Sequence, residues 1–245
     1  MLQKYFKKLY QRTMSEAYSL AHTKIANALK EPDSKCLDCG AHNGYKYDTI
    51  QTMAGLKRDN YHGIEWNQAL ALEAQQKGLN VKQGDLNRNM PFDKNSFDCV
   101  YGLSVLEHLL NPCLFLREAH RVLKDDGQLV ILTPNISTFF TAALILMGKM
   151  PSSGPHPDSD QLLAQEELFK VSSEGLVPDT ETDTPVHRHL VVFSYRVLIS
   201  YMKMLGFKDV KGYGFGLYPF PNFMQPVLEK LDPYHCHQMV IVARK

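Results

Sequence analysis

Residues 35–44 read Lys35-Cys36-Leu37-Asp38-Cys39-Gly40-Ala41-His42-Asn43-Gly44. A short apolar run ends at an acid, and Gly40 and Gly44 follow it closely. Because glycine has no β-carbon, it permits positive φ angles and lets a ligand approach the backbone. The stretch therefore predicts a short strand followed by a binding turn. Three kinds of site remain open at this point: a metal knuckle, a nucleotide loop and a loop for a positively charged ligand.

Two of these sites fit the residues poorly. Cys36 and Cys39 have the Cys-x-x-Cys spacing of zinc sites, but zinc needs four ligands and no second such pair follows. Cys36 also falls where a strand is expected, which favours a small core residue. The spacing of Gly40 and Gly44 departs from the Gly-x-Gly-x-x-Gly of dinucleotide loops, and Asp38 would repel a nearby phosphate. The loop therefore suits a ligand with a positive centre and no pyrophosphate.

Short apolar runs alternate with helical patterns after residue 35. The runs are residues 36–37, 61–66, 79–83, 97–103, 128–133, 207–213 and 238–243. The predicted helices between and after them are residues 45–56, 67–77, 113–123 and 195–205. Alternating strands and helices predict an α/β fold with a mostly parallel sheet that carries helices on both faces.

Four segments follow from these patterns. They are an N-terminal helical segment at residues 1–30, a ligand-binding core at 31–147, an insertion at 148–190 and the remainder of the core at 191–245. The insertion is rich in proline, glycine, serine and acids, with a helical pattern near residues 161–169. Long insertions of this kind are often lids or binding loops, so we expect a lid here.

Composition excludes several classes of protein. The chain has 27 basic and 26 acidic residues, so no bulk charge favours nucleic acid, and no basic run with interleaved aromatics follows residues 1–12. Five scattered cysteines predict no disulfide framework and a reducing, cytoplasmic setting. The uncharged run at residues 127–148 is interrupted by polar residues and is too short to span a bilayer. Residues 1–12 predict an amphipathic helix that packs on the domain or lies on a membrane surface.

Residues 37–44 resemble the first motif of class I S-adenosylmethionine-dependent methyltransferases of type 11. Further motifs follow in the order of that family: Glu65-Trp66, Gly84-Asp85-Leu86, residues 96–109, and residues 116–129. The resemblance is specific over residues 33–135 and weakens to a general likeness over 189–245. It implies a Rossmann-like, seven-stranded sheet whose final strand is antiparallel, with an insertion after the fifth strand.

The resemblance also implies a cofactor, S-adenosylmethionine, bound at the carboxyl ends of the strands. Asp38 would complement its ammonium group, Glu65 would accept from both ribose hydroxyls, and Trp66 would pack on the adenine. Asp85 would accept from the adenine amino group. The full set of cofactor residues that the resemblance implies is Asp38, Gly40, His42, Gly44, Glu65, Trp66, Asp85, Leu86, Leu103 and Ser104.

Four residues are candidates for a general base. Glu107 and His108 follow the fourth strand, and His187 and His189 end the insertion. Structural roles are the alternative for each: Glu107 could fix a loop, and His108 could line the cofactor pocket.

Some relatives, including the plant small-RNA 3′-terminal methyltransferases, hold a divalent cation with Glu-x-x-Glu-His and a distant histidine. Here Ser104 stands in place of the first glutamate. Because an anionic ligand of that motif is missing, we expect no metal.

The function that we expect is methylation of an oxygen on a small-molecule, sugar- or lipid-linked acceptor. The alternative is a non-catalytic, methyltransferase-like partner of another enzyme, suggested by a distant likeness to methionine biosynthesis protein W. The apolar helix predicted at residues 139–147 could line an acceptor pocket or form a homodimer surface.

Overall fold

The computed structural model describes residues 2–151, 153–159, 161–162 and 188–245. Within these residues, one seven-stranded sheet forms the centre of the molecule. Its strands are β1 Cys36–Cys39, β2 Tyr61–Glu65, β3 Asn80–Gln83, β4 Phe97–Leu103, β5 Leu123–Pro134, β6 Lys208–Phe215 and β7 Gln238–Arg244. Their order across the sheet is β3-β2-β1-β4-β5-β7-β6, and β7 runs antiparallel to both of its neighbours. The predicted sheet, with its antiparallel final strand, is confirmed.

Helices cover both faces of this sheet. They are α1 Leu2–Ala28, α2 Lys46–Ala54, α3 Gln68–Gln76, α4 Pro112–Val122, α5 Phe139–Leu146, α6 Tyr195–Met204 and α7 Gln225–Leu231. One core cluster joins α4 and α6 to the sheet through Leu116 and Leu198. The other joins α1, α2 and α3 to the opposite face. Because both faces are buried, the central strands carry continuous apolar runs rather than an alternating pattern.

The cysteines of β1 show this two-faced burial directly. Cys36 belongs to the cluster under α1, α2 and α3, whereas Cys39 belongs to the cluster under α4 and α6. Both thiols are fully buried and free. Since the two side chains point to opposite faces of the sheet, they cannot ligate one ion, and Cys36 is the core residue that the sequence indicates.

The structure differs from the sequence prediction mainly at β5 and α7. A strand was expected from residue 128, but β5 begins at Leu123, which pairs with Phe97 before a register shift. Asp126 has a φ of 63° inside this irregularity, which is therefore a bulge within a longer strand. Residues 225–231 form a short helix that the sequence patterns did not predict.

Most of the insertion lies outside the described residues. His187 therefore lies outside the part of the chain that the structure describes. The same holds for most of the predicted lid and of the predicted helix near residues 161–169. The end of the insertion is attached to the turn that follows β4, because the amide of Leu190 donates to the carbonyl of Glu107 at 2.7 Å. Among the helices of the described ranges, none has the length and apolar character needed to cross a bilayer.

A buried ion pair joins β1, the following loop and α2. Lys46 begins α2, and its Nζ lies 3.1 and 3.3 Å from the two carboxylate oxygens of Asp38. The same ammonium donates to the carbonyl of Gly40 at 2.7 Å, and the hydroxyl of Tyr61 donates to Asp38 at 2.8 Å. Burial raises the pKa of Asp38. Burial acts to lower the pKa of Lys46, but Asp38 together with Tyr45 and Tyr18 outweighs it, and the pKa is raised.

Replacing Lys46 should expose the cost of burying Asp38. Lys46→Met leaves an uncompensated carboxylate that is fully buried, so the free energy of unfolding should fall by about 3–5 kcal/mol. The matched control is Lys57→Met, which removes the cation from the exposed pair with Asp33 and should cost less than about 1 kcal/mol. Urea unfolding at pH 7, followed by circular dichroism, measures both. Equal, small losses in the two variants would contradict the role given to this pair.

Candidate functional site

The backbone of the loop after β1 is hydrogen-bonded to β2. The amides of Gly40 and Ala41 both donate to the carbonyl of Ile64, at 2.9 and 3.0 Å. Gly40 has a φ of 79°, and a β-carbon there would lie 2.5 Å from a methyl group of Val105. Any larger residue at Gly40 would therefore be strained and would collide with the segment after β4. The backbone angle and the contact with Val105 therefore both require glycine at position 40, as the sequence predicts.

Glu65 joins this loop to the end of β2. One carboxylate oxygen accepts from the amide of His42 at 2.7 Å, and the other accepts from the amide of Asn67 at 2.8 Å. These two hydrogen bonds fix the orientation of the side chain, which is half-buried. Trp66, the next residue, is 69% exposed. The pair therefore presents a held carboxylate and an accessible aromatic face beside the loop.

The ends of β3 and β4 complete this edge of the sheet. One oxygen of Asp85 accepts from the amide and the side chain of Asn87, at 2.8 and 3.0 Å. The hydroxyl of Ser104 lies 3.2 Å from that of Tyr18, which α1 contributes. Because β1 to β4 are parallel, their carboxyl ends all lie on this edge.

Not every predicted cofactor residue faces this edge. Leu86 and Leu103 are buried in the core, 8% and 3% exposed. The carboxylate of Asp38 is fully buried and contacts Lys46, through which it holds the loop. The predicted contact of Asp38 with an ammonium group stays a prediction. Lys46 was missed by sequence reasoning, because a lysine at a helix start is ordinarily exposed.

A group of three ionisable side chains lies just beyond β4. Glu107 and His108 belong to a 3-10 turn, Leu106–His108, and His189 arrives from the end of the insertion. Each offers one ligand atom, and these atoms all lie within 4.8 Å of one another. Three of the four base candidates are therefore brought together, while His187 is outside the described residues.

Hydrogen bonds hold each member of this group. The hydroxyl of Thr133 donates to Glu107 at 2.9 Å. Nδ1 of His108 lies 3.1 Å from the carbonyl oxygen of Arg188, and Nδ1 of His189 lies 2.6 Å from that of Ser153. Since a carbonyl only accepts, both Nδ1 atoms carry the hydrogen and the lone pair is on Nε2. Nothing in the local sequence indicates the partners from residues 133 and 153.

Burial sets the charges of the group. It raises the pKa of Glu107 to about 7, although its own amide and Thr133 act to lower it. Burial lowers the pKa of His189 to about 3, and it also lowers the pKa of His108. Both imidazoles are therefore uncharged at neutral pH and present a lone pair rather than a positive charge.

Comparisons with known proteins agree with this geometry. Residues 37–131 match the family model described as "Methyltransferase domain". A Mycolicibacterium smegmatis protein named "Probable S-adenosylmethionine-dependent methyltransferase" is 30% identical over 105 residues, which are 42% of this chain and 39% of that protein. The chain thus matches well under half of the length of this curated relative.

Solved structures extend the likeness over the whole fold. A SAM-dependent methyltransferase from Archaeoglobus fulgidus is similar with a TM-score of 0.53 and 17% identity, over 93% of this chain and 94% of its own. Phosphoethanolamine N-methyltransferase 2 of Haemonchus contortus, in complex with S-adenosyl-L-methionine, has a TM-score of 0.57 and 12% identity, over 91% of this chain and 52% of its own. Residues 37–131 therefore match a methyltransferase domain, and the chain has the fold of the S-adenosylmethionine-dependent methyltransferases to which it is similar.

Proposed function

We propose that the chain transfers a methyl group from S-adenosylmethionine to an oxygen of a small-molecule acceptor, sugar- or lipid-linked. One observation carries the proposal. The loops after four parallel strands meet at one edge of the sheet, and Glu107, His108 and His189 lie together immediately beyond them. A cofactor edge next to a group of proton-accepting side chains suits a transfer to a hydroxyl.

The residues at this edge fit the cofactor. Glu65 is held by two amides in the orientation that suits a ribose diol, and Trp66 offers a face for a purine. The positive φ of Gly40 sets the bend of the loop against which the amino-acid end would lie. When bound, S-adenosylmethionine supplies a methyl group on a sulfonium, and its transfer returns the C–S electron pair to sulfur and leaves one acceptor proton to be taken up.

Glu107, with a pKa of about 7, is the group matched to taking up that proton at neutral pH, and the neutral histidines can orient the acceptor. A hydroxyl donating to Nε2 of His108 or His189 would be oriented with its oxygen lone pair free to attack. Such positioning can supply on the order of 7–11 kcal/mol of the barrier. Hydrogen bonds from Thr133 to Glu107 and from His189 to the carbonyl of Ser153 fix these two side chains before the acceptor binds.

We also propose a contact between the enzyme and an anionic membrane, which would suit a lipid-linked acceptor. Residues 145–147, at the end of α5, are strongly exposed and apolar. The ring of Phe6 lies 6.5 Å from that of Phe140, so the start of α1 adjoins α5. Lys7 and Lys8 are exposed in that first turn region. An apolar stripe beside lysines suits an acidic bilayer surface.

A reducing, cytoplasmic location is part of the same proposal. All five cysteines are free, and four of them are buried. Free, buried thiols suit a compartment in which disulfides do not form.

Cofactor binding should depend on Glu65. Glu65→Gln replaces one oxygen by an amide nitrogen, removes charge-assisted hydrogen bonds worth about 1.5–3 kcal/mol and should weaken S-adenosylhomocysteine roughly 10- to 100-fold. Titration calorimetry measures the affinity. The exposed Glu31→Gln is the control and should bind as the parent does. If both variants keep full affinity, the assignment of this edge to the cofactor is wrong.

Turnover should depend on His189. With a panel of sugar, phenol and lipid hydroxyl acceptors, we expect release of S-adenosylhomocysteine, and a fall in kcat of ~10²-fold in His189→Gln because the acceptor hydroxyl loses the lone pair that orients it. His120→Gln, on the far side of α4, is the matched control and should keep kcat. Release with amine acceptors alone would overturn the oxygen assignment. Cofactor binding with no release from any acceptor would favour the non-catalytic partner.

Membrane contact should depend on Leu146, which is 88% exposed. Leu146→Glu adds a charge to the apolar stripe, so less protein should sediment with vesicles that contain phosphatidylserine. Leu110→Glu makes the same change at another exposed leucine and should sediment as the parent does. Sedimentation that is absent in the parent, together with a dimer in analytical ultracentrifugation, would assign the stripe to a homodimer instead.

A further inference from the structure

We propose that Glu107, His108 and His189 form a three-ligand site for a divalent transition-metal ion. Two imidazoles and one carboxylate offer ligand atoms that all lie within 4.8 Å of one another. An ion bound at about 2.0–2.2 Å holds such atoms about 3.0–3.5 Å apart, so small side-chain rotations complete the site.

The hydrogen bonds of the two histidines suit ligation. Each Nδ1 donates to a backbone carbonyl, of Arg188 for His108 and of Ser153 for His189. Ligating histidines almost always donate their other ring nitrogen to such an acceptor, which fixes the tautomer and aims Nε2 at the metal. The backbone is held as well, because the amide of His189 donates to Nδ1 of His156 at 3.1 Å.

Glu107 supplies the negative charge. Its side chain is only 2% exposed, and Thr133 donates to one carboxylate oxygen. Among the ion pairs of the described residues, none includes Glu107. A buried carboxylate is costly without a cation, and a metal ion is a compact cation that two neutral imidazoles can share with it.

The donor set selects the class of ion. Calcium and magnesium prefer oxygen ligands alone, whereas two imidazoles with one carboxylate suit zinc, manganese or iron and leave coordination positions open. The expectation of no metal rested on Ser104, which stands where a second carboxylate would be. A three-ligand site does not need that carboxylate.

The location of the site gives the ion a use. Val105 packs close to Gly40 in the loop after β1, and Glu107 and His108 follow it directly. If the proposed methyl transfer holds, an acceptor oxygen could fill an open coordination position, where the metal, in place of Nε2 of a histidine, would hold the hydroxyl and make it more acidic. The metal-site proposal itself does not depend on that transfer.

Metal binding can be measured without cofactor or acceptor. The tag-free, full-length chain is stripped with a chelator, dialysed and titrated with cobalt(II), whose visible absorption reports coordination. Equilibrium dialysis with zinc then gives the number of ions per chain. We expect about one ion per chain, and an affinity lowered at least roughly 10-fold in His189→Gln and in Glu107→Gln. His120→Gln should bind as the parent does.

Thermal unfolding first checks that each variant is folded. His189 is half-buried, so His189→Gln keeps the test valid if Glu107→Gln fails to fold. Binding at micromolar metal in the parent and its loss in His189→Gln would support the site. The site would be overturned if the parent bound no metal, or if His189→Gln bound metal as well as His120→Gln does. Near-ultraviolet thiolate absorption, which would indicate a cysteine site, would also overturn it. The metal titration contains no methyl donor, so a failure to bind metal would not contradict the proposed methyl transfer. In the same way, a failure to turn over would not contradict the metal site.

Discussion

The buried pair of Asp38 and Lys46 is the interaction on which the site edge depends. A carboxylate at the end of a central strand cannot reach water, so its charge has to be met within the protein. Lys46 meets it from the first residue of α2 and also donates to the carbonyl of Gly40. Strand, loop and helix are thereby tied at one point. The conformation of the loop is stabilised by the hydrogen bond from Lys46 to Gly40.

The parallel sheet converts this anchor into a site. Strands β1 to β4 point their carboxyl ends to one edge, so the segments that follow them are neighbours in space although they are far apart in sequence. Glu65 uses its carboxylate to hold the loops after β1 and β2 together. The structure is thus organised from the buried ion pair outward to hydrogen bonds at the surface.

Sequence reasoning predicted what local patterns determine. The bounds of β4 agree with the expected residues 97–103, because a strand buried on both faces is a continuous apolar run. It failed where an outcome depends on distant partners. The start of β5 depends on pairing across the sheet with Phe97, and the placement of Lys46 depends on a carboxylate that only the fold buries beside it. Neither signal exists in a window of neighbouring residues.

The two buried carboxylates of this fold differ in a way that separates stability from chemistry. Asp38 has a lysine of its own chain, so its charge is used up in holding the loop. Glu107 has a hydroxyl and two neutral imidazoles as its described neighbours, one of them brought from a segment some eighty residues away. A fold selected for stability alone would gain by placing an apolar side chain at Glu107. Within the described part of the chain no cation pairs with this buried acid, and that is the arrangement which the proposed proton transfer or the proposed ion would use.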